Sequence, residues 1–136
     1  MNLAIWDIES SSASTDFGSI IEIGGVLVDE NFKEKDRFNL RCRLPEGEIF
    51  QAMALIVNKT SIKKLTQANL SHYQMLAEVE KIFKKWSPAI FLGWSNIGFD
   101  DEMIRKEFFK GIRYPYLTNA APNKRHDGIN IARAAY

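Results

Sequence analysis

Two carboxylates one residue apart, Asp7 and Glu9, close the apolar run LAIWDIE at residues 3–9. In an extended chain this spacing puts both on one face, roughly 7 Å apart at ~3.3 Å per residue. Leu3 and Ile5 precede them on that face, and Ala4, Trp6 and Ile8 fill the other. The pattern is that of a central strand covered on both sides. Neighbouring buried carboxylates repel and resist ionisation unless a cation joins them. Hard oxygen donors favour magnesium or manganese, and two such ions can hold the attacking and leaving oxygens of a phosphodiester. The competing reading is a pair of solvent-facing carboxylates at a strand end.

A third carboxylate, Asp100, stands where the apolar run AIFLGW (89–94) passes through SNIGF into DDEMIRKEFFKGI. By itself it reads as a helix N-cap. In an α/β sheet, however, a strand-to-helix turn often borders the site, and neighbouring strands 3–9 and 89–94 would bring Asp100 beside Asp7. In the same turn Asn96 can hydrogen-bond a nucleotide and Phe99 can stack on a base. The plainer alternatives are a turn residue and a core plug.

The elements that must position these groups follow from periodicity. SIIEIGGVLVDENFKEKDRFNLRCRL reads as two strands, roughly 19–28 and 35–44, joined by DENFK. Glu22 interrupts the first and reads as an edge-facing or paired carboxylate, with a place in a site as the alternative. PEGEIFQAMALIV is ambiguous and is taken as a short helix. LSHYQMLAEVEKIFKKW opens with a capping box, Ser71 and Gln74, and carries Met75, Leu76, Val79, Ile82, Phe83 and Trp86 at helical spacing until Pro88. The helix from Asp100 has an apolar stripe of Ile104, Phe108 and Ile112, with Asp101 and Glu102 complementing its dipole. YLTNAAPNK is a loop, and Asp127 can cap a last helix over 128–136. Strand, strand, strand, helix, strand, helix, helix implies an α/β domain with a mixed sheet.

Bulk properties narrow the function. A chain of 136 residues with 46% hydrophobic and 26% charged residues suits one globular domain. A net charge of +1 carries no broad basic footprint for duplex binding through counterion release. The lysines of KTSIKK and KIFKKW read as solvated helix faces. No apolar run reaches the roughly 20 residues that cross a bilayer, and the N-terminus lacks the pattern of a signal peptide. The single cysteine, Cys42, excludes an internal disulfide, fits a reducing cytoplasm and reads as a small buried hydrophobe.

WDIES resembles the first motif, D-x-E-T/S, of the DEDD (DnaQ-like) superfamily of 3′→5′ exonucleases. SIIEIGGVLVDEN is similar to that family's second strand and hairpin, NIGFDDEMIRKEFF to its second motif, N-x-x-F-D, and RHDGINIARAAY to the segment leading to its third. The combination most resembles the bacterial exonuclease I type, over residues 3 to 136. The resemblance implies a ribonuclease-H-like mixed sheet flanked by helices, with metal-dependent release of nucleotides from the 3′ end of single-stranded DNA, RNA being the alternative substrate. It implies Asp7, Glu9 and Asp100 as catalytic ligands of two magnesium or manganese ions. It also implies substrate contacts from Ile8 through its backbone, Ser10 through its side chain and Asn96, and no ligand role for Asp101; Phe99 remains a substrate-binding candidate from its place in the turn. The chain departs from the family in two places. No H-x-x-x-x-D or Y-x-x-x-D motif follows Asp100, and neither His72 nor His126 has an Asp five residues on. Where relatives carry an apolar wedge in an H-G-I-T-like segment, VNKTS has Lys59. The expectation is a single domain that stops short of the third catalytic motif, and the alternative is a catalytically silent module binding nucleic acid or protein.

Overall fold

A computed structural model describes residues 1–136. Five strands form one mixed sheet in the order β3-β2-β1-β4-β5. β1 (Asn2–Ser10) lies at its centre, antiparallel to β2 (Ile20–Val28) and parallel to β4 (Ala89–Gly93). β3 (Glu34–Arg41) pairs antiparallel with β2, and β5 (Lys124–Asp127) runs parallel to β4 at the other edge. Between β3 and β4 lie α1 (Ala52–Val57), α2 (Ile62–Gln67) and α3 (His72–Trp86). α4 (Asp100–Lys110) joins β4 to β5, and α5 (Gly128–Ala135) follows β5. The expected ribonuclease-H-like mixed sheet with flanking helices is therefore present.

The core lies on one face of the sheet. Alternation along β1 sends Ala4, Trp6 and Ile8 against α3 and α4, where they meet Met75, Val79, Phe83, Met103, Ile104 and Phe108. Phe83 sits at the centre. Its ring meets Trp6 at 5.6 Å and Phe91 at 4.9 Å, both edge-on, the arrangement that ring quadrupoles favour. α3 begins where the sequence places it: Ser71 accepts from the Gln74 N–H, and Gln74 returns a bond to the Ser71 backbone. Gly25 on β2 is required by this packing, because a Cβ there would lie 2.9 Å from the Phe38 ring and 3.0 Å from the Ile5 carbonyl oxygen. Cys42 is fully buried and its thiol donates to the Ile20 carbonyl at 3.5 Å. Burial, and secondarily the Glu107 charge, pushes its pKa up to about 12.

Four expectations are corrected. β1 is not covered on both sides: Ile5 is 41% exposed and Asp7 is exposed, since no helix packs over the odd-numbered face. Ile112 does not extend the α4 stripe, because the helix ends at Gly111 and the chain turns at a φ of 56°, leaving Ile112 97% exposed. The sequence reading also lacks two elements. Residues 124–127, KRHD, form edge strand β5 although they are polar, because an edge strand needs little apolar surface once its neighbour supplies the hydrogen bonds. α2 is absent from the expected element order, although its KTSIKK lysines do lie on a solvated helix face as expected, with only Leu65 buried. Glu22 resolves as a paired carboxylate, bound to Arg41 at 2.5 Å and to Asn39 at 3.1 Å.

Replacing Phe83 by alanine removes the ring on which the aromatic cluster closes. The expected loss is about 3–5 kcal/mol of unfolding free energy, read by chemical denaturation.

Candidate active site

The site is built at the end of β1. Parallel pairing, with Ile5 opposite Leu92, brings the exit of β4 up beside Asp7. On the other side Gly24 faces Asp7 across the antiparallel ladder and Glu22 faces Glu9. With no side chain at Gly24, the surface over Asp7 stays open, and a cavity of about 240 Å³ is lined there by Asp7, Glu9, Glu22, Asn39 and Asn58.

The turn that follows β4 is held tightly. Gly93 admits Asn96 beneath it, since a Cβ there would lie 2.5 Å from the Asn96 Cβ. Ser95 takes a φ of 56°. The Asn96 carbonyl accepts the N–H groups of Phe99 and Asp101, at 3.2 and 3.0 Å, and starts α4. From the neighbouring strand, Asp127 accepts the N–H groups of Ser95 at 2.8 Å and Ile97 at 3.4 Å, and also caps α5 through Ile129 at 3.0 Å. Desolvation acts upward on Asp127, but these backbone donors outweigh it and hold its carboxyl below the usual range.

Asp100 is the first residue of α4, not its cap. Phe99 occupies the N-cap position, and no side chain caps the helix. The Asp100 carboxyl is therefore not consumed by the helix, although the residue is only 6% exposed. Its pKa is raised to about 7, first by burial and then by the charges of Asp7, Asp101, Glu9 and Asp127. Glu9 is raised as well, by burial and then by Asp7 and Glu22. Acidic groups from three strands and one helix thus meet with no cation among the influences on Asp100. The donor set is all hard oxygen, and a divalent cation is the ion that would relieve the repulsion. The side chains are near enough to repel but do not close into a ready-made cage, for no three His, Cys, Asp or Glu groups are arranged to hold a metal.

Beside Glu9, on the α1 side, opens a second cavity of about 250 Å³, bounded by Ile8, Ser10, Phe99, Met53, Val57 and Asn58 among others. Ser10 donates its hydroxyl to the Ser12 carbonyl at 2.7 Å, and Asn58 ties the end of α1 to β1 by donating to the Ser10 carbonyl at 2.9 Å. The structure therefore brings Ile8, Ser10 and Phe99 to one cavity wall next to the carboxylates. Asn96 is excluded from that wall. It is fully buried, and its amide is turned inward to donate to Asp101 at 2.7 Å, so the expectation that its side chain holds a substrate strand is corrected. Asp101 lies beneath it at 2% exposure, also receiving the Thr118 hydroxyl at 3.1 Å. Burial lifts its pKa to about 6. Lys59 is exposed at a φ of 50° just beyond α1. Neither histidine joins the site: His72 pairs with Glu107 at the start of α3, and His126 is exposed on β5 opposite Leu92. The sequence reading missed the cavity wall from Met53 to Asn58, hidden in its ambiguous segment. It also missed the clamp by Asp127, read only as a cap because β5 was not recognised.

A mixed β3-β2-β1-β4-β5 sheet with flanking helices, and with carboxylates at the end of its central strand and at the head of the following helix, defines a ribonuclease-H-like fold. Within that class the chain is similar to exodeoxyribonuclease I, as its motifs led one to expect. It is 21% identical over 138 residues to exodeoxyribonuclease I of Buchnera aphidicola subsp. Schizaphis graminum, covering 100% of this chain and 28% of that protein. It is 23% identical over 134 residues to the Haemophilus influenzae protein of the same name, covering 97% and 28%. Escherichia coli exonuclease I, solved with a dA16 oligonucleotide, superposes with a TM-score of 0.91 at 20% identity, over 99% of this chain and 30% of that one. Metal-free and zinc-bound forms of the same E. coli protein with single-stranded DNA superpose equally well. No protein-family model matches the chain. The chain thus spans less than a third of the relatives it resembles.

In the folded chain Asp100 binds its proton more tightly than the 3.8 of a free carboxyl. The stabilisation from that proton is complete below pH 3.8 and is lost as the pH rises through about 7. Without added metal, Asp100→Asn should therefore raise the unfolding free energy at pH 8 by on the order of 1 kcal/mol or more, seen as a higher melting temperature, with the gain vanishing by pH 4. Thermal melts at both pH values check this.

Proposed function

We propose that this chain carries metal-holding carboxylates of a metal-dependent 3′→5′ exonuclease site acting on single-stranded DNA. The observation that carries the reading is the meeting of Asp100 with Asp7 and Glu9, from segments more than 90 residues apart, in a cluster with repulsion and no compensating cation. The likeness to exonuclease I solved with single-stranded oligonucleotides supports the substrate class. In this reading Asp7, Glu9 and Asp100 hold magnesium, or manganese in its place. When bound, such ions supply positive charge to the attacking and leaving oxygens of a phosphodiester. The chain's own residues do the positioning. The cavity beside Glu9 receives the terminal nucleoside, Phe99 offers an aromatic surface for its base, and Ser10 and the Ile8 backbone supply polar contacts to its sugar. Lys59, exposed and charged just beyond α1, would meet a backbone phosphate more readily than it would wedge between bases.

A second reading is a catalytically silent nucleic-acid- or protein-binding module of the same fold. The open arrangement of the acidic groups, which do not close into a metal cage, favours it.

The two are separated by a nuclease assay on 3′-labelled and 5′-labelled single-stranded oligonucleotides of DNA and RNA with magnesium. The exonuclease reading expects early release of the 3′ label as mononucleotide, and a fall of at least ~100-fold in Asp7→Ala, since a lost ligand forfeits several kcal/mol of charge stabilisation. Equal rates in wild type and Asp7→Ala reject it. Binding without cleavage in both favours the silent module.

A further inference from the structure

We infer that Asp101, the neighbour of the candidate ligand Asp100, is a positioning residue for the site, acting through Asn96 and the turn between β4 and α4. The inference rests on the metal-site reading above. Asp101 is 2% exposed and faces away from the open cavities, so it touches neither metal nor substrate. Its two oxygens are used separately: Oδ2 accepts from Asn96 Nδ2 at 2.7 Å, and Oδ1 from the Thr118 hydroxyl at 3.1 Å. Its N–H returns to the Asn96 carbonyl at 3.0 Å. Backbone and side chain thus form a closed ring between residues 96 and 101, and Asp100 sits on its outer edge.

Nothing else can perform this task. The Asn96 amide is fully buried beneath Gly93, its Oδ1 has no partner, and Asp101 provides its one side-chain hydrogen bond. Without that acceptor the amide would keep neither end satisfied and would seek water, dragging the turn outward. Asp127 restrains the same turn through backbone N–H groups, those of Ser95 and Ile97 among them, upstream of Asp100, and leaves the Asn96 side-chain amide to Asp101. Thr118 extends the tie to the loop after α4. That loop is itself fixed to β4 by Asn123, which accepts from the Ala89 N–H at 3.0 Å and donates to the Leu117 carbonyl at 2.7 Å. Asp101 therefore joins the turn that presents Asp100 to a loop anchored in the sheet.

The chemistry makes the role testable, because asparagine can keep both bonds where alanine keeps neither. The new amide oxygen would accept from Asn96, and the amide nitrogen would donate to the Thr118 hydroxyl, which can rotate to accept. The experiment titrates Mn²⁺ into the whole chain at fixed pH and salt, reading free Mn²⁺ by electron paramagnetic resonance, with a melting curve for each variant. Asp101→Ala is expected to bind about 10-fold or more weakly, the usual loss when an outer-shell partner is removed, and Asp101→Asn to stay within about 3-fold of wild type. Phe108→Ala, destabilised in the core of the same helix, should keep its affinity, which separates placement of Asp100 from general stability. Asp101→Ala that folds and binds like wild type overturns the inference, as does Asp101→Asn as weak as Asp101→Ala. If Asp101→Ala does not fold, Thr118→Val decides: weaker Mn²⁺ binding supports the role and unchanged binding overturns it. No binding by wild type, or equal binding by Asp7→Ala, overturns the metal-site reading instead.

Discussion

Acidic side chains from distant parts of a chain can share one corner only if the fold holds them there against their own repulsion. That constraint organises the structure. β1 is apolar on its core side so that helix packing, not the carboxylates, fixes its place. Parallel pairing with β4 then delivers the second segment to the same end of the sheet. Asp100 responds by keeping its proton to about pH 7, and Glu9 shifts in the same direction.

The turn carrying Asp100 is gripped from two sides by carboxylates with no open surface of their own. Asp127 grips backbone N–H groups from the adjacent strand, and Asp101 grips a buried amide from below. Both add negative charge to the corner they brace. The arrangement trades electrostatic comfort for geometric control, a balance found where a protein's task needs a placed charge.

The sequence disclosed the parts governed by local rules. The capping box of α3, the burial of Met75, Val79, Phe83 and Trp86, the central strand with its paired acids and the turn before α4 are all written in short spacings. What stayed hidden depends on partners far away in the chain. β5 is a strand because β4 offers it hydrogen bonds, not because KRHD prefers extension. Asn96 resembled a residue waiting for a ligand, and only the carboxylate beneath it shows that its amide is already engaged. The open face of β1 was also beyond reach, since the same apolar letters fit a covered strand and a bare one.

The sealed sulfur of Cys42 has a practical side. Cys42 is fully buried, and burial holds its thiol proton to about pH 12, so it offers little thiolate to alkylating reagents or peroxides at neutral pH. For site-directed labelling Cys42 is therefore expected to stay silent in the folded chain. A probe attached through a cysteine introduced on the rim of the Glu9 cavity would report from that place alone, without any need to remove the native residue.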